Sequence, residues 1–364
     1  MKNTATKLLS LIVAILMVLS LAACNTTDDG KIDEKDPTEN NTPNDSADDS
    51  EDDSNNEQPA APNSELEIKI YSLNGTTALG LAQMIDSVTN QTATMNYNIS
   101  LHAAADTVTG PIVTGECAIA ALPTNAAAKL YKASQGKLKL LAINTLGVLY
   151  LLQGEGENVT SLEELRGKTV YLPGAGSNPE FITKALLESA GLKVGTDVIL
   201  DTATYPSPDA LQAAMVSGMA KLGVLPEPKV TVTTNQNNTI SVALDMTSEW
   251  EKINGENTLV QGCLVVNTAF AEAHPAEVAQ FLKDYKASVD FIVDGSDEAI
   301  NMIVNVGILP AAGVAKKALP KCNICFIAGE DMKTPMNTFC KKIYEQAPEA
   351  IGALPDDNFY YVAK

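Results

Sequence analysis

"SGMAKLGVLPEP", Ser217 to Pro228, restates a pattern already present upstream as "TGECAIAALPTN", Thr114 to Asn125. Gly115 aligns with Gly218, Ile119 with Leu222, and Leu122-Pro123 with Leu225-Pro226. Each stretch is an apolar run of strand length that stops at a proline, which has no N–H to give to a sheet. The likeness extends in both directions. "IKIYSLNGTTALGLAQMI" (Ile68 to Ile85) reads as an alternating strand, a Gly-containing turn and an amphipathic helix that includes Leu79, Met84 and Ile85. "GKTVYLPGAGSNPEFITKALL" (Gly167 to Leu187) has the same order of elements, and "YNISLHA" (Tyr97 to Ala103) answers "DVILDTA" (Asp197 to Ala203). The chain therefore reads as two β-α-β-α-β units of similar build, an α/β fold with two doubly wound lobes.

Strands that alternate with helices form parallel sheets covered on both faces, and such sheets bind ligands outside the carboxyl ends of their strands. That rule selects Asn74, Gly75 and Thr76 after the first strand and Thr124 and Asn125 after a later one. In the second unit it selects Gly176, Ser177 and Asn178 in "GAGSNP", Tyr205 in "TYPSP", and Glu227. Glu227 occupies the position of Thr124 in the repeat, and Pro226 and Pro228 restrict the backbone on either side of it. It reads as a preorganised ligand contact in a cleft between the lobes; a solvated acid in a proline-rich loop is the plainer alternative. Thr76 and Ser177 equally suit helix caps.

Five segments carry a family resemblance: "LPTNAAAKLY" (Leu122 to Tyr131), "LLAINTLGVLYLL" (Leu140 to Leu152), "LRGKTVYLPGAGSNPEF" (Leu165 to Phe181), "LPEPKVT" (Leu225 to Thr231) and "EVAQFLKDYKASVDFI" (Glu277 to Ile292). The chain resembles the extracytoplasmic substrate-binding proteins of ATP-binding-cassette importers, in the group that takes nitrate, sulfonates, taurine and thiamine precursors. The resemblance spans nearly everything from Leu66 onward. It implies a type II periplasmic-binding-protein-like fold, with residues 66–147 plus 260–364 as lobe 1 and 148–259 as lobe 2. Crossings are expected near Asn144 to Leu152 and near Ser241 to Val266. The resemblance further implies a monomer that closes on a small-molecule ligand and docks on a membrane permease served by a separate ATPase subunit. Asn144 and Thr145, on the first crossing, are expected to add neutral hydrogen bonds to the ligand. Trp250 lies close enough to the second crossing to report closure.

The amino-terminal sequence reads as an address. Lys2 and Lys7 precede an apolar run from Leu8 to Leu21, followed by Ala22-Ala23-Cys24. Residues 1–23 resemble a lipoprotein signal peptide, which implies lipidation of Cys24; two acyl chains suffice for stable anchoring. Residues 24–64 are crowded with Asp and Glu and contain no aromatic residue, so they read as a disordered acidic tether. An exported protein, lipid-anchored on the outer face of the bacterial cell membrane, is expected.

Ligand chemistry is legible in part. Helix starts such as "NGTT" and "GAGSNP" suit an anion, whereas a buried Glu227 calls for a cationic or donor-rich group. A zwitterionic aminosulfonate satisfies both, as does an aminopyrimidine stacked on Tyr205. A formal net charge of -20 over 364 residues argues against nucleic acid. "GAGSNP" has Pro179 where a dinucleotide motif needs its third glycine. His102 and His274 are the only histidines and lack a triad or metal-ligand context, so no enzyme, cofactor or metal is expected. Cys117, Cys263, Cys322, Cys325 and Cys340 remain after Cys24, and free thiols are favoured over a disulfide. A surface lipoprotein of the same fold that senses a ligand or binds a partner, without feeding a permease, stays open as the other reading.

Overall fold

The computed structural model describes residues 61–363, apart from 104. The signal segment, Cys24 and the tether as far as residue 60 lie outside the described residues.

Eleven strands are described: β1 (Ile68–Leu73), β2 (Tyr97–His102), β3 (Ile119–Pro123), β4 (Leu138–Thr145), β5 (Leu149–Gln153), β6 (Thr169–Tyr171), β7 (Ile199–Asp201), β8 (Leu222–Pro226), β9 (Ser241–Asp245), β10 (Gly262–Asn267) and β11 (Ile324–Ala328). They form two sheets. The first has the order β11-β4-β10-β3-β1-β2 and the second β7-β6-β8-β5-β9. In each, the strands of the repeated unit run parallel and the neighbouring strands run against them: β1 pairs in parallel with β2 and β3, while β10 is antiparallel to β3 and β4. In the second sheet β6 is parallel to β7 and β8, and β5 is antiparallel to β8 and β9. β3 and β8 are the two aligned stretches of the repeat, and each ends on the aligned proline, Pro123 or Pro226.

Strand residues alternate between two cores, as a sheet covered on both faces requires. On β3, Ile119 and Ala121 face a core with Leu79, Phe281 and Tyr285, while Ala120 and Leu122 face another with Ala127, Met336 and Phe339. This second core continues into the other sheet through Leu149, Leu151, Leu222 and Val224. Tyr150, Leu152 and Leu225 face away from it, into a smaller core with Leu211, Met215 and Val230. The two lobes thus share one continuous core on one side, and each has its own core on the other.

The long helix Pro275–Val293 starts on its proline and buries Val278, Phe281, Tyr285 and Ile292, with Leu282 half-buried. One helix departs from its periodicity. The apolar pattern from Thr76 to Ile85 is broken at Gly80, into Thr76–Leu79 and Ala82–Thr89. A Cβ at Gly80 would lie 2.2 Å from the Tyr285 hydroxyl, so this turn is pressed against the long helix where a side chain would not fit.

The sheets are joined where β4 runs into β5 through residues 146–148, and where the chain returns to β10 through Leu259, Val260 and Gln261. These crossings bond to each other. Gln261 N–H donates to Thr145 O at 3.0 Å, and Gln261 Oε1 accepts from Val148 N–H at 2.6 Å. Gly147 lies in the first crossing, where a Cβ would meet Thr247 Oγ1 at 2.0 Å and Leu259 Cδ2 at 2.8 Å. Gly147→Ala is therefore expected to lower stability by about 1–3 kcal/mol through overpacking. Urea denaturation reads this as a lower midpoint at unchanged slope; an unchanged midpoint would mean that the crossings are not packed together.

Candidate functional site

The carboxyl ends of β1 and β3, the start of β10 and the end of β4 fall on one edge of the first sheet, since Gly262 pairs with both Pro123 and Thr145. In the second sheet the ends of β6 and β8 and the start of β5 share an edge, with Leu149 opposite Pro226. The crossings connect these two edges, so the helix-opening loops of both lobes are brought towards one another. A separate depression of about 120 Å³, lined by Thr94, Tyr97 and Asp284, sits at the amino end of β2, the opposite edge of that sheet.

The repeat relates Thr124 to Glu227, and the structure gives the two related tasks. Thr124 is fully buried; its hydroxyl donates to Val260 O at 2.6 Å and its N–H to Gln261 O. Glu227 N–H donates to Val148 O at 2.9 Å. Each holds the crossing next to its own strand. The Glu227 carboxylate is covered and engaged within the protein. It accepts from Thr231 N–H at 3.1 Å and Thr231 Oγ1 at 3.0 Å, in the first turn of the helix Lys229–Gln236, and Lys321 Nζ lies 3.7 Å away. Burial pushes its pKa up, and the Thr231 bonds and the Lys321 charge oppose that shift.

The other candidates divide by the core their helices enter. Asn74, Gly75 and Thr76 open the helix that places Leu79 in the first lobe's own core, and Tyr205 packs edge-on against Tyr171 at 5.1 Å beside the second lobe's own core. Gly75 has a φ of 108°, a region that favours glycine. Asn144 is on that same side of β4: its Nδ2 donates to Thr77 O at 3.2 Å and its Oδ1 accepts from Thr145 Oγ1 at 3.1 Å. A Cβ on Gly262 would come within 2.6 Å of Asn144 Oδ1, so glycine there makes room for this pair. Asn125, Gly176, Ser177 and Asn178 belong to helix starts that pack on the shared core, through Ala127 and Ala128 or Phe181 and Ile182.

In "GAGSNP" the free donors are partly used. Gly176 N–H goes to Glu180 Oε2 at 2.6 Å, and the Ser177 hydroxyl donates backwards to Gly174 O at 2.9 Å instead of capping its helix. Asn178 Oδ1 is buried and has no hydrogen-bond partner.

Four contributors escape the sequence reading. Gln261 ties the crossings, and its only local sign is a polar residue inside the apolar run "TLVQGCLVV". Tyr150 donates its hydroxyl to Lys321 O at 3.3 Å, and Lys321 meets Glu227; both depend on a pairing between distant segments that no local pattern announces. Lys317 Nζ adds a contact to Asn235 Oδ1 at 2.7 Å, so the segment before β11 touches the second lobe at several points. The five described cysteines are free, four of them buried, and no group of three or more His, Cys, Asp or Glu suited to a metal occurs among the described residues.

Two doubly wound sheets facing each other across paired crossings define the periplasmic-binding-protein fold. Residues 136–299 match the family described as NMT1/THI5 like. No curated protein matches the chain by sequence. Among solved structures, an ABC transporter protein from Parabacteroides distasonis is similar with a TM-score of 0.68 at 20% identity, over 83% of this chain and 100% of the other. The periplasmic aliphatic sulphonate binding protein of Escherichia coli gives 0.67 at 15%, over 82% and 92%. The alkanesulfonate-binding protein of Xanthomonas axonopodis pv. citri bound to MOPS gives 0.60 at 14%, over 82% and 96%.

The raised pKa of Glu227 fixes a sign. A carboxyl group that ionises less readily folded than unfolded loses stability as pH rises from the ordinary glutamate value through its folded value. Relative to Glu227→Gln, the wild-type protein should therefore be most stable in acid and lose that advantage as pH rises through this window. Denaturant titrations at a series of pH values check this, and the opposite slope would show that the Thr231 bonds and Lys321 outweigh burial.

Proposed function

We propose that the protein is the solute-binding component of an ATP-binding-cassette importer, capturing a small anionic or zwitterionic ligand by lobe closure and delivering it to a membrane permease. Convergence of the helix-opening loops of both lobes on one pair of crossings carries this reading. A ligand held from both sides has more contacts in the closed form than in the open one, and that difference in affinity shifts the population. On this reading lobe 1 comprises residues 66–147 plus 260–364, lobe 2 comprises 148–259, and both crossings act as the hinge. The chain acts as a monomer without enzymatic activity of its own. Cys24 carries a lipid anchor, with the acidic segment up to residue 64 as a tether on the extracytoplasmic face. The sulfonate-binding proteins among the structural neighbours support a ligand of this size and charge.

Native mass spectrometry should find a retained small molecule, and calorimetry with ethanesulfonate, taurine, nitrate and an aminopyrimidine should identify its class. Binding should reduce the radius of gyration. Asn74→Ala is expected to weaken affinity by about tenfold, the scale of one or two lost hydrogen bonds, without lowering the unfolding midpoint. Trp250 is buried and donates to Thr258 Oγ1 at 3.0 Å, directly before the second crossing, so its emission should change on closure. Absence of compaction with every probe would reject capture by closure.

A further inference from the structure

Glu227 presents no side-chain surface to solvent in this structure. Its side chain is 0% exposed, and Oε1 and Oε2 are both committed to Thr231 or Lys321. The charge that reaches solvent is that of Lys321, whose side chain is 45% exposed.

Lys321 is also held in place. Its carbonyl accepts from the Tyr150 hydroxyl, and two residues on, Asn323 accepts from Leu146 N–H at 3.0 Å through its carbonyl and donates through Nδ2 to Gly147 O. These bonds fix the lysine's backbone against the first crossing, at the edge where β8 ends. Its contact with Glu227 is long at 3.7 Å, leaving donor capacity on the ammonium for another acceptor. The neighbouring cation Lys229 is instead paired with Asp209.

We propose that Lys321 is the specificity-determining cation of the ligand site, with Glu227 sealed against it as an internal counter-ion, so that the site selects a small organic monoanion and requires no amine. This rests on the capture function proposed above and replaces the zwitterion, which depended on an accessible Glu227, with a plain anion. Closing the lobes around the ligand removes water from the ammonium and strengthens its attraction to an anionic group. A ligand ammonium would face a Glu227 carboxylate that is covered and already bonded to Thr231, and would meet the like charge of Lys321.

Ethanesulfonate and taurine differ only by the ammonium, so calorimetry on the full chain with this pair separates the cases. Ethanesulfonate is expected to bind at least as tightly as taurine, with an affinity that falls as salt is raised. Lys321→Met should weaken ethanesulfonate by about tenfold or more, Lys321→Gln should do likewise while keeping a polar side chain, and Lys321→Arg should restore most of the loss. Thermal unfolding of each variant separates loss of charge from loss of fold. Tight taurine binding with weak ethanesulfonate binding, or undiminished ethanesulfonate affinity in folded Lys321→Met and Lys321→Gln, overturns the assignment. Lobe compaction by a neutral aminopyrimidine with no response to either sulfonate also removes Lys321 while leaving capture intact. Failure of every probe to compact the lobes removes capture itself, and the assignment with it.

Discussion

One residue, through its carboxamide and its main-chain N–H, holds the two crossings to each other. Gln261 receives the N–H of Val148 and gives its own N–H to Thr145, so the outgoing and returning chains meet as a bonded pair. It is buried, and an unmade hydrogen bond there would cost about 1–3 kcal/mol. The rest of the site is built on this junction. Thr124 of one lobe bonds to the returning chain and Glu227 of the other to the outgoing chain, each from the end of the strand that the repeat assigns it. Two bonded segments joining the sheets would favour rotation over sliding, the motion that the proposed capture requires.

The distribution of the cores gives that motion a direction. On one side a single apolar core passes from Ala127 and Phe339 to Leu149 and Val224 without interruption, and separating the lobes there would expose packed side chains. On the other side the cores are separate, and the contacts between lobes are polar: Lys321 with Glu227, Lys317 with Asn235, and Tyr150 with a carbonyl. Contacts of that kind are individually small and can be exchanged for water. The proposed closure would be opposed on the side of the shared core, and Asn74, Thr76, Tyr205, Asn144 and Lys321 lie towards the side where the cores are separate.

Much of the architecture was legible because it is periodic. The apolar runs and the paired Leu-Pro endings located β3 and β8 and the prolines on which they end, since strand length and the missing proline N–H are local properties. Pro275 marked the start of the long helix for the same reason. The turn at Gly80 was not legible, because the side chain that leaves no room there, Tyr285, belongs to a helix far along the sequence. Glu227 stood out by its bracketing prolines, but its partners did not. Thr231 is one helical turn away and could be guessed, whereas Lys321 lies just before β11, a strand that joins the first sheet only after the chain has built the second.

The sequence by itself determined the main elements, their repetition and the edge of each sheet from which the candidate loops leave, because hydrophobic period and proline chemistry act within a few residues. Tertiary structure alone decided which charge is sealed and which is presented. Whether a carboxylate is solvated, capped or paired depends on what packs over it, and over Glu227 that cover is Thr231 and a lysine from a distant segment. An ionised group is defined by its surroundings more than by its neighbours in sequence, so the chemistry of this site had to wait for the fold.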